Sequence, residues 1–184
     1  HLSVELKGND NRTDLMESGL DLSIRINPQN DHDNLAYTEL ATNSRRLVAT
    51  PDYLAKHGIP VRPSDLAGHQ LITQIATSNS NYWYFRDDNN KPSTIKVQKI
   101  IMADSGDAIL RAVLNNGGIA MLPNYMTAHY LRGKGLTTVL DQLVMEDHPI
   151  HAVTVPNRHS IPKIEKFHHG ESMEIPISLK IRLI

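Results

Sequence analysis

Cysteine is absent from the 184-residue chain. That removes disulfide scaffolds, cysteine-bound zinc and thiol nucleophiles together, and it weakly favours a bacterial or cytosolic protein over a small secreted one. An excess of charge is lacking too, since 19 Lys+Arg meet 20 Asp+Glu for a net charge of -1. Stand-alone nucleic-acid-binding domains usually have a pI above ~9, so direct DNA binding by these residues is disfavoured. No run approaches the ~18 consecutive apolar residues of a membrane span. His1-Leu2-Ser3-Val4-Glu5-Leu6 is no signal peptide. A cytoplasmic protein with no membrane partner is therefore expected. The rest is ordinary for a globular chain, with 40% hydrophobic and 21% charged residues. Its length suits one large domain or two small lobes.

Strand-like and helix-like segments alternate along the chain. Leu2 to Leu6 and Leu20 to Ile26 alternate apolar with polar residues, and a short helical turn from Thr13 to Gly19 lies between them. Strand, helix, strand is the grammar of a parallel α/β sheet. Leu35–Leu40 and Arg45–Thr50 read as strands, with the small polar stretch Ala41 to Ser44 as a candidate hinge or lobe boundary. Pro51 opens a helix that Gly58 closes. Gln70 to Ile75 is a strand, and Asp87 to Asn90 is a turn between two strand-like runs. The best helix runs from Asp104, as N-cap, to Asn116, where Gly117-Gly118 stop it. Ile119–Leu122 is an apolar strand of the kind buried on both sides. A helix from Pro123 to Arg132, extended segments at 136–140 and 150–155, and a helix from Ser160 to about His169 complete the pattern. The class is α/β.

Ten histidines invite a metal site. His168-His169 are adjacent and face different ways on a helix, and no HExxH pair occurs, so no metal is expected. Ser105 lies in Asp104-Ser105-Gly106, which is not the GxSxG elbow of a nucleophilic serine. No set of residues reads as an enzyme, and no cofactor is implied.

Binding chemistry is better represented. Ligands of open α/β sheets sit at the carboxyl ends of strands. Three such places stand out: Arg25-Ile26-Asn27, the segment Thr73-Gln74-Ile75 with Thr77, and Asp104-Ser105 at a helix start. A helix N-terminus holds anions through its free N–H groups and partial positive charge. Arg25 and that terminus favour a small organic anion, and Asp104 opposes one. Each place also has an ordinary reading: a surface arginine, a solvated loop, a helix cap.

Several motifs resemble one family. Arg45-Arg46-Leu47-Val48-Ala49-Thr50-Pro51-Asp52-Tyr53-Leu54-Ala55-Lys56-His57-Gly58, continuing through Pro63-Ser64-Asp65-Leu66-Ala67-Gly68, looks like the effector-binding domain of LysR-type transcriptional regulators. Gly19 to Arg25, Trp83-Tyr84-Phe85, Asn116 to Pro123 and Arg158 to Phe167 are similar to it as well. The resemblance covers about residues 2–168 in order. It implies two Rossmann-like lobes with mixed sheets, of the periplasmic-binding-protein type II kind, and a small-molecule inducer in the cleft between them. Lobe one would be residues 1–42 plus 144–184 and lobe two 43–143, with hinges near 40–45 and 140–146. It also implies a homodimer or tetramer in the full-length protein, and DNA contact only through an N-terminal winged helix-turn-helix that these residues do not contain. The runner-up is a transport solute-binding protein of the same fold.

On that pattern the first strand and helix of lobe one are missing, because residue 1 enters at what resembles the second strand. Met173 to Ile184 departs from the family yet alternates almost without fault, with Ile175, Ile177, Leu179, Ile181 and Leu183 apolar. This tail is expected to fill the slot of the missing strand, in cis or from a neighbour, or else to be rearranged. Its one-faced pattern suits an edge strand.

Overall fold

In a computed structural model, which describes residues 4–8, 15, 19–26, 35–75, 82–86, 91–96, 99–145, 147–155 and 179–183, the polypeptide divides into two units. One is His1–Thr42 with His148–Ile184, and the other is Asn43–Asp147. The strands are β1 (Val4–Gly8), β2 (Leu22–Ile26), β3 (Ala36–Asn43), β4 (Arg45–Ala49), β5 (Leu71–Gln74), β6 (Tyr82–Arg86), β7 (Pro92–Lys96), β8 (Lys99–Ala103), β9 (Ile119–Pro123), β10 (Thr137–Val139), β11 (His148–Thr154) and β12 (Leu179–Leu183). The helices are α1 (Pro51–His57), α2 (Gly106–Leu114) and α3 (Asn124–Arg132), with a 3-10 turn at Pro63–Gly68.

The sheet of the first unit runs β1-β12-β2-β11-β3. Its tail strand is an insertion. β12 pairs antiparallel with β1 over five residues, Val4↔Leu183 to Gly8↔Leu179, and antiparallel with β2 at Lys180↔Ser23 and Ile181↔Leu22. Leu179–Leu183 of the tail therefore joins the sheet in cis, but as an interior strand rather than at the edge, and residues 173–178 lie outside the described residues. Two antiparallel steps leave β1 and β2 pointing the same way, as the strand-helix-strand reading requires, yet they are not neighbours. The expected helical turn at 13–19 and the helix at 160–169 lie outside the described residues, apart from Leu15 and Gly19. Gly19 does take the left-handed conformation, φ 63°.

The polar stretch at 41–44 is extended, and the boundary between the two units falls within it, after Thr42. β3 continues to Asn43, and only Ser44 separates it from β4. The β-branched Thr38 and Thr42 favour the extended backbone, which carries the weaker strand formers Ala41 and Asn43 with it. β8 had no separate expectation; it forms an outer strand.

The second unit is built on a sheet ordered β10-β4-β9-β5-β8, covered on both faces. Alternation along each strand divides the core. Leu47, Ala49, Leu71 and Ile119 face one side, where α1, the 3-10 turn and the β6–β7 hairpin bring Tyr53, Leu54, Leu66, Trp83 and Phe85. Val48, Ile72 and Ala120 face the other, under Ile109, Leu110 and Val113 of α2. Burial on both sides makes these strands near-continuously apolar. Helix α1 follows its sequence signals closely: Thr50 Oγ accepts from Tyr53 N–H at 3.3 Å, Pro51 stands in the first turn, and Gly58 closes it at φ 86°. Helix α2 starts one residue later than expected. Ser105, not Asp104, is the N-cap, because its backbone is extended and its Oγ accepts from Ala108 N–H at 3.2 Å.

A buried polar group ties α1 to β5. Tyr53 Oη accepts from Gln70 N–H at 2.9 Å and lies 3.3 Å from His69 Nδ1, with the His57 ring stacked on Tyr53. Burial pushes the Tyr53 hydroxyl above its ordinary pKa, against the lowering effect of the Gln70 contact. Burial, and then the nearby His57, hold His69 below its ordinary value of 6.5, while Asp65 opposes them. Because the Tyr53 hydroxyl oxygen already accepts from Gln70, its O–H is available to donate a hydrogen bond to Nδ1 of a neutral His69 in the tautomer protonated at Nε2. Since its folded pKa is depressed, the unfolded chain takes the proton first, so stability falls as pH drops through about 6.5. Urea midpoints at pH 7.5 and 5.5 should differ more in the parent than in His69→Gln; equal differences would remove His69 from this account.

Candidate functional site

The geometry of the second unit's sheet gathers several chain ends along one edge. β9, β5 and β8 run parallel, and β4 runs antiparallel to β9. The carboxyl ends of β9, β5 and β8 and the beginning of β4 therefore lie side by side. Helices α2 and α3 both start from this edge, α2 after β8 and α3 after β9. Their first turns are close: a Cβ on Gly106 would lie 3.1 Å from the Met126 thioether.

Thr73, Gln74 and Ile75 meet Asp104 and Ser105 here. Ile75 N–H donates to Ala103 O at 2.8 Å, and Gln74 Nε2 donates to Asp104 O at 3.5 Å. Thr73 is buried, whereas Ile75 is 58% exposed, so the end of β5 rises from core to surface within three residues. Arg25 and Ile26 belong to the first unit, at the carboxyl end of β2, opposite His151 and Ile150 of β11. His151 Nδ1 is buried without a hydrogen-bond partner, and its ring meets Tyr37 edge-on. Asn27 and Thr77 lie outside the described residues.

The edge also holds residues that sequence reasoning did not select. Asn124, the first residue of α3, donates its backbone N–H to Ser44 O at 2.9 Å and its side-chain amide to Ser44 Oγ. Asn43 is 4% exposed. The side-chain carbonyl oxygens of Asn43 and Asn124 are buried and accept no hydrogen bond. A signal for Asn124 existed: a short polar residue following an apolar strand, the same grammar that drew attention to Asp104-Ser105.

The two helix starts differ electrostatically. Ser105 satisfies an N–H of α2, whose first turn carries Asp107. Helix α3 has no side-chain cap and no acid in its first turn, and Arg45 starts β4 opposite Pro123. The partial positive charge of a helix start is least offset at α3. Among the described residues no three His, Asp or Glu side chains converge as a metal site, and no helix is long and apolar enough to cross a membrane.

Comparison with known proteins gives a consistent result. The family model for the LysR substrate binding domain matches residues 1–169. An uncharacterised HTH-type transcriptional regulator of Haemophilus influenzae is 30% identical over 88% of this chain and 55% of its own length. HTH-type regulator CrgA of Neisseria meningitidis is 29% identical over 83% of this chain and 50% of its own. The chain thus spans about half the length of the curated relatives it matches. The solved CrgA regulatory domain superposes with a TM-score of 0.72 at 28% identity, over 83% of this chain and 74% of that one. Full-length AphB of Vibrio cholerae, at 21% identity and a TM-score of 0.73 over 86% and 53%, shares the fold. That fold is the α/β class of two Rossmann-like lobes with mixed sheets, of the periplasmic-binding-protein kind. With 169 of its residues matched in order by that model, the chain belongs to the LysR substrate-binding-domain family.

Proposed function

We propose that this chain is the ligand-sensing part of a LysR-type transcriptional regulator, binding a small-molecule effector without transforming it. The observation that carries the reading is the polar edge of the second unit. Two helix starts, a strand end at Thr73–Ile75 and the Asn43–Ser44–Asn124 group meet there in a chain of this family. On this reading Thr73, Gln74, Ile75, Asp104 and Ser105 form one wall of the effector site. Arg25 and Ile26 of the first unit, with Asn27 and Thr77, are further contacts on this reading. The full-length regulator dimerises or forms tetramers, acts in the cytoplasm, and touches DNA through a separate winged helix-turn-helix. A transport role is not favoured, because the similar proteins are HTH-type regulators.

Thermal-shift screening of carboxylates, aromatic acids and sugars tests this directly. At least one class should raise the melting temperature, and Ser105→Trp should abolish the shift by filling the edge. Loss of the Ser105 cap costs about 1 kcal/mol, so ligand-free melting of the variant separates misfolding from lost binding. A hit that shifts Ser105→Trp as fully as the parent refutes the placement.

A further inference from the structure

We infer that Tyr53 and His69 form an acid-sensitive latch in the second unit, closed while His69 is neutral and released when it takes a proton, and that release loosens β5 as far as Ile75. The role of such a latch, an effector edge that responds to acidity, rests on the effector-sensing reading above. The latch is a set of hydrogen bonds that one added proton disrupts. Tyr53 is 1% exposed and His69 9%. The Tyr53 hydroxyl oxygen accepts from Gln70 N–H at 2.9 Å, and the hydroxyl lies 3.3 Å from His69 Nδ1. With His69 neutral and protonated at Nε2, Nδ1 accepts from the Tyr53 O–H, and the hydroxyl is satisfied as both acceptor and donor. A proton on Nδ1 turns that nitrogen into a second donor. The hydroxyl then faces two donors, and its O–H has lost the acceptor it had. A buried donor without an acceptor is costly, and withdrawal of Tyr53 from Gln70 relieves it.

The surroundings set the threshold. Burial is the main force that keeps His69 neutral, followed by a charged His57, whose ring on α1 stacks on Tyr53 at 4.4 Å between centroids. Asp65 on the 3-10 turn favours the proton, but its carboxylate already accepts from Val61 and Arg62 N–H and lies 3.4 Å from the Arg62 guanidinium. The strand and hairpin residues of the same cluster, Leu71, Trp83 and Phe85, carry no charge. Gln70 passes the release to the sheet. Its carbonyl accepts from Ile119 N–H at 2.8 Å, so it ties α1 to the start of β9 as well as to β5. The ladder beside it is irregular, because the pairing of β5 with β8 shifts register between Leu71 and Ile72. β5 has only four residues, and Ile75, which donates to Ala103 O at 2.8 Å, follows it directly. Loss of the Gln70 anchor therefore reaches the effector edge within one short strand.

The full chain carries its own probe, since Trp83 is the single tryptophan and lies in the cluster that holds Tyr53. Its fluorescence, followed from pH 7.5 to 5.0, should show a transition with a midpoint below 6.5, the ordinary histidine value. His69→Gln should abolish the transition. His57→Gln should move the midpoint up and Asp65→Asn should move it down, as their opposite effects on His69 require. Hydrogen exchange, corrected for intrinsic rates, should show opening at Gln70 and Ile75 rising by up to about tenfold between pH 7.5 and 5.5, the factor set by an open-state histidine that titrates near 6.5. If His69→Gln melts early at pH 7.5, the opposite shifts in the His57 and Asp65 variants decide the matter alone. A missing transition, one that survives His69→Gln, or unshifted midpoints overturn the inference. So does faster exchange at Gln70 without Ile75, or equal acceleration throughout β4, which marks global unfolding. None of these results touches the effector-sensing reading, which stands or falls on the ligand screen.

Discussion

Gly118→Ala is expected to destabilise the second unit by about 4 kcal/mol or more, near the top of the range for single substitutions. A Cβ at this position would stand 2.2 Å from Gln70 O and 2.9 Å from Gln70 C, and the residue's φ is +142°. The clash is with backbone that cannot retreat. Gln70 O accepts from Ile119 N–H at 2.8 Å, and Gln70 N–H donates to the buried Tyr53 hydroxyl at 2.9 Å. Gln70 also leads into β5, which is held between β9 and β8. Relief of the contact would move the strand that presents Thr73, Gln74 and Ile75. Gly58→Ala is the control, because its φ is +86° but nothing lies within 4 Å of an added Cβ. Only the left-handed backbone penalty of about 1–2 kcal/mol applies there. Urea denaturation of both variants separates the two costs, and equal losses would mean that the Gln70 contact does not determine the fold.

Removal of residues 179–184 should have the second large effect, confined to the first unit. β1 occupies the end of its sheet beside β12, and β12 alone connects it to β2. Without the tail, β1 loses its partner and the remaining ladder is β2-β11-β3. The loss is on the order of 5 kcal/mol, comparable to the net stability of a small domain. Ile181→Pro makes the same point with one residue. Ile181 is paired with Leu6 on one side and Leu22 on the other, and proline is not tolerated in an interior strand. Hydrogen exchange should accelerate at residues 4–8 and 22–23 in both variants, while β4, β5 and β9 stay protected. Unchanged exchange at 4–8 would show that β12 does not hold β1 in place.

What could be read in advance depended on whether the signal was local. Thr50, Pro51 and Gly58 bound α1 because capping, ring geometry and a left-handed terminus are decided within a few residues. The apolar run 119–122 was legible as a doubly buried strand for a similar reason. Asp104 and Ser105 are both good N-caps by composition, and only the extended backbone at Ser105 chose between them. The tail's alternation identified a strand but not its position, since period two describes one face and says nothing about how many neighbours flank the backbone. Its interior place was decided by β1 and β2, more than 150 residues away in sequence. The edge residues followed the same division. Thr73 to Ile75 and Asp104-Ser105 were visible as strand ends. Asn124 became a candidate only when the antiparallel pairing of β4 with β9 brought it to Ser44, 80 positions away in sequence.

The central claim is that these residues hold a small effector reversibly, and calorimetric titration of the full chain with the best compound from the screen tests it most directly. The expected result is saturable one-to-one binding, with the compound recovered chemically unchanged and the heat absent in Ser105→Trp. Consumption of the compound during the titration, or no binding by any compound of any class, would contradict it.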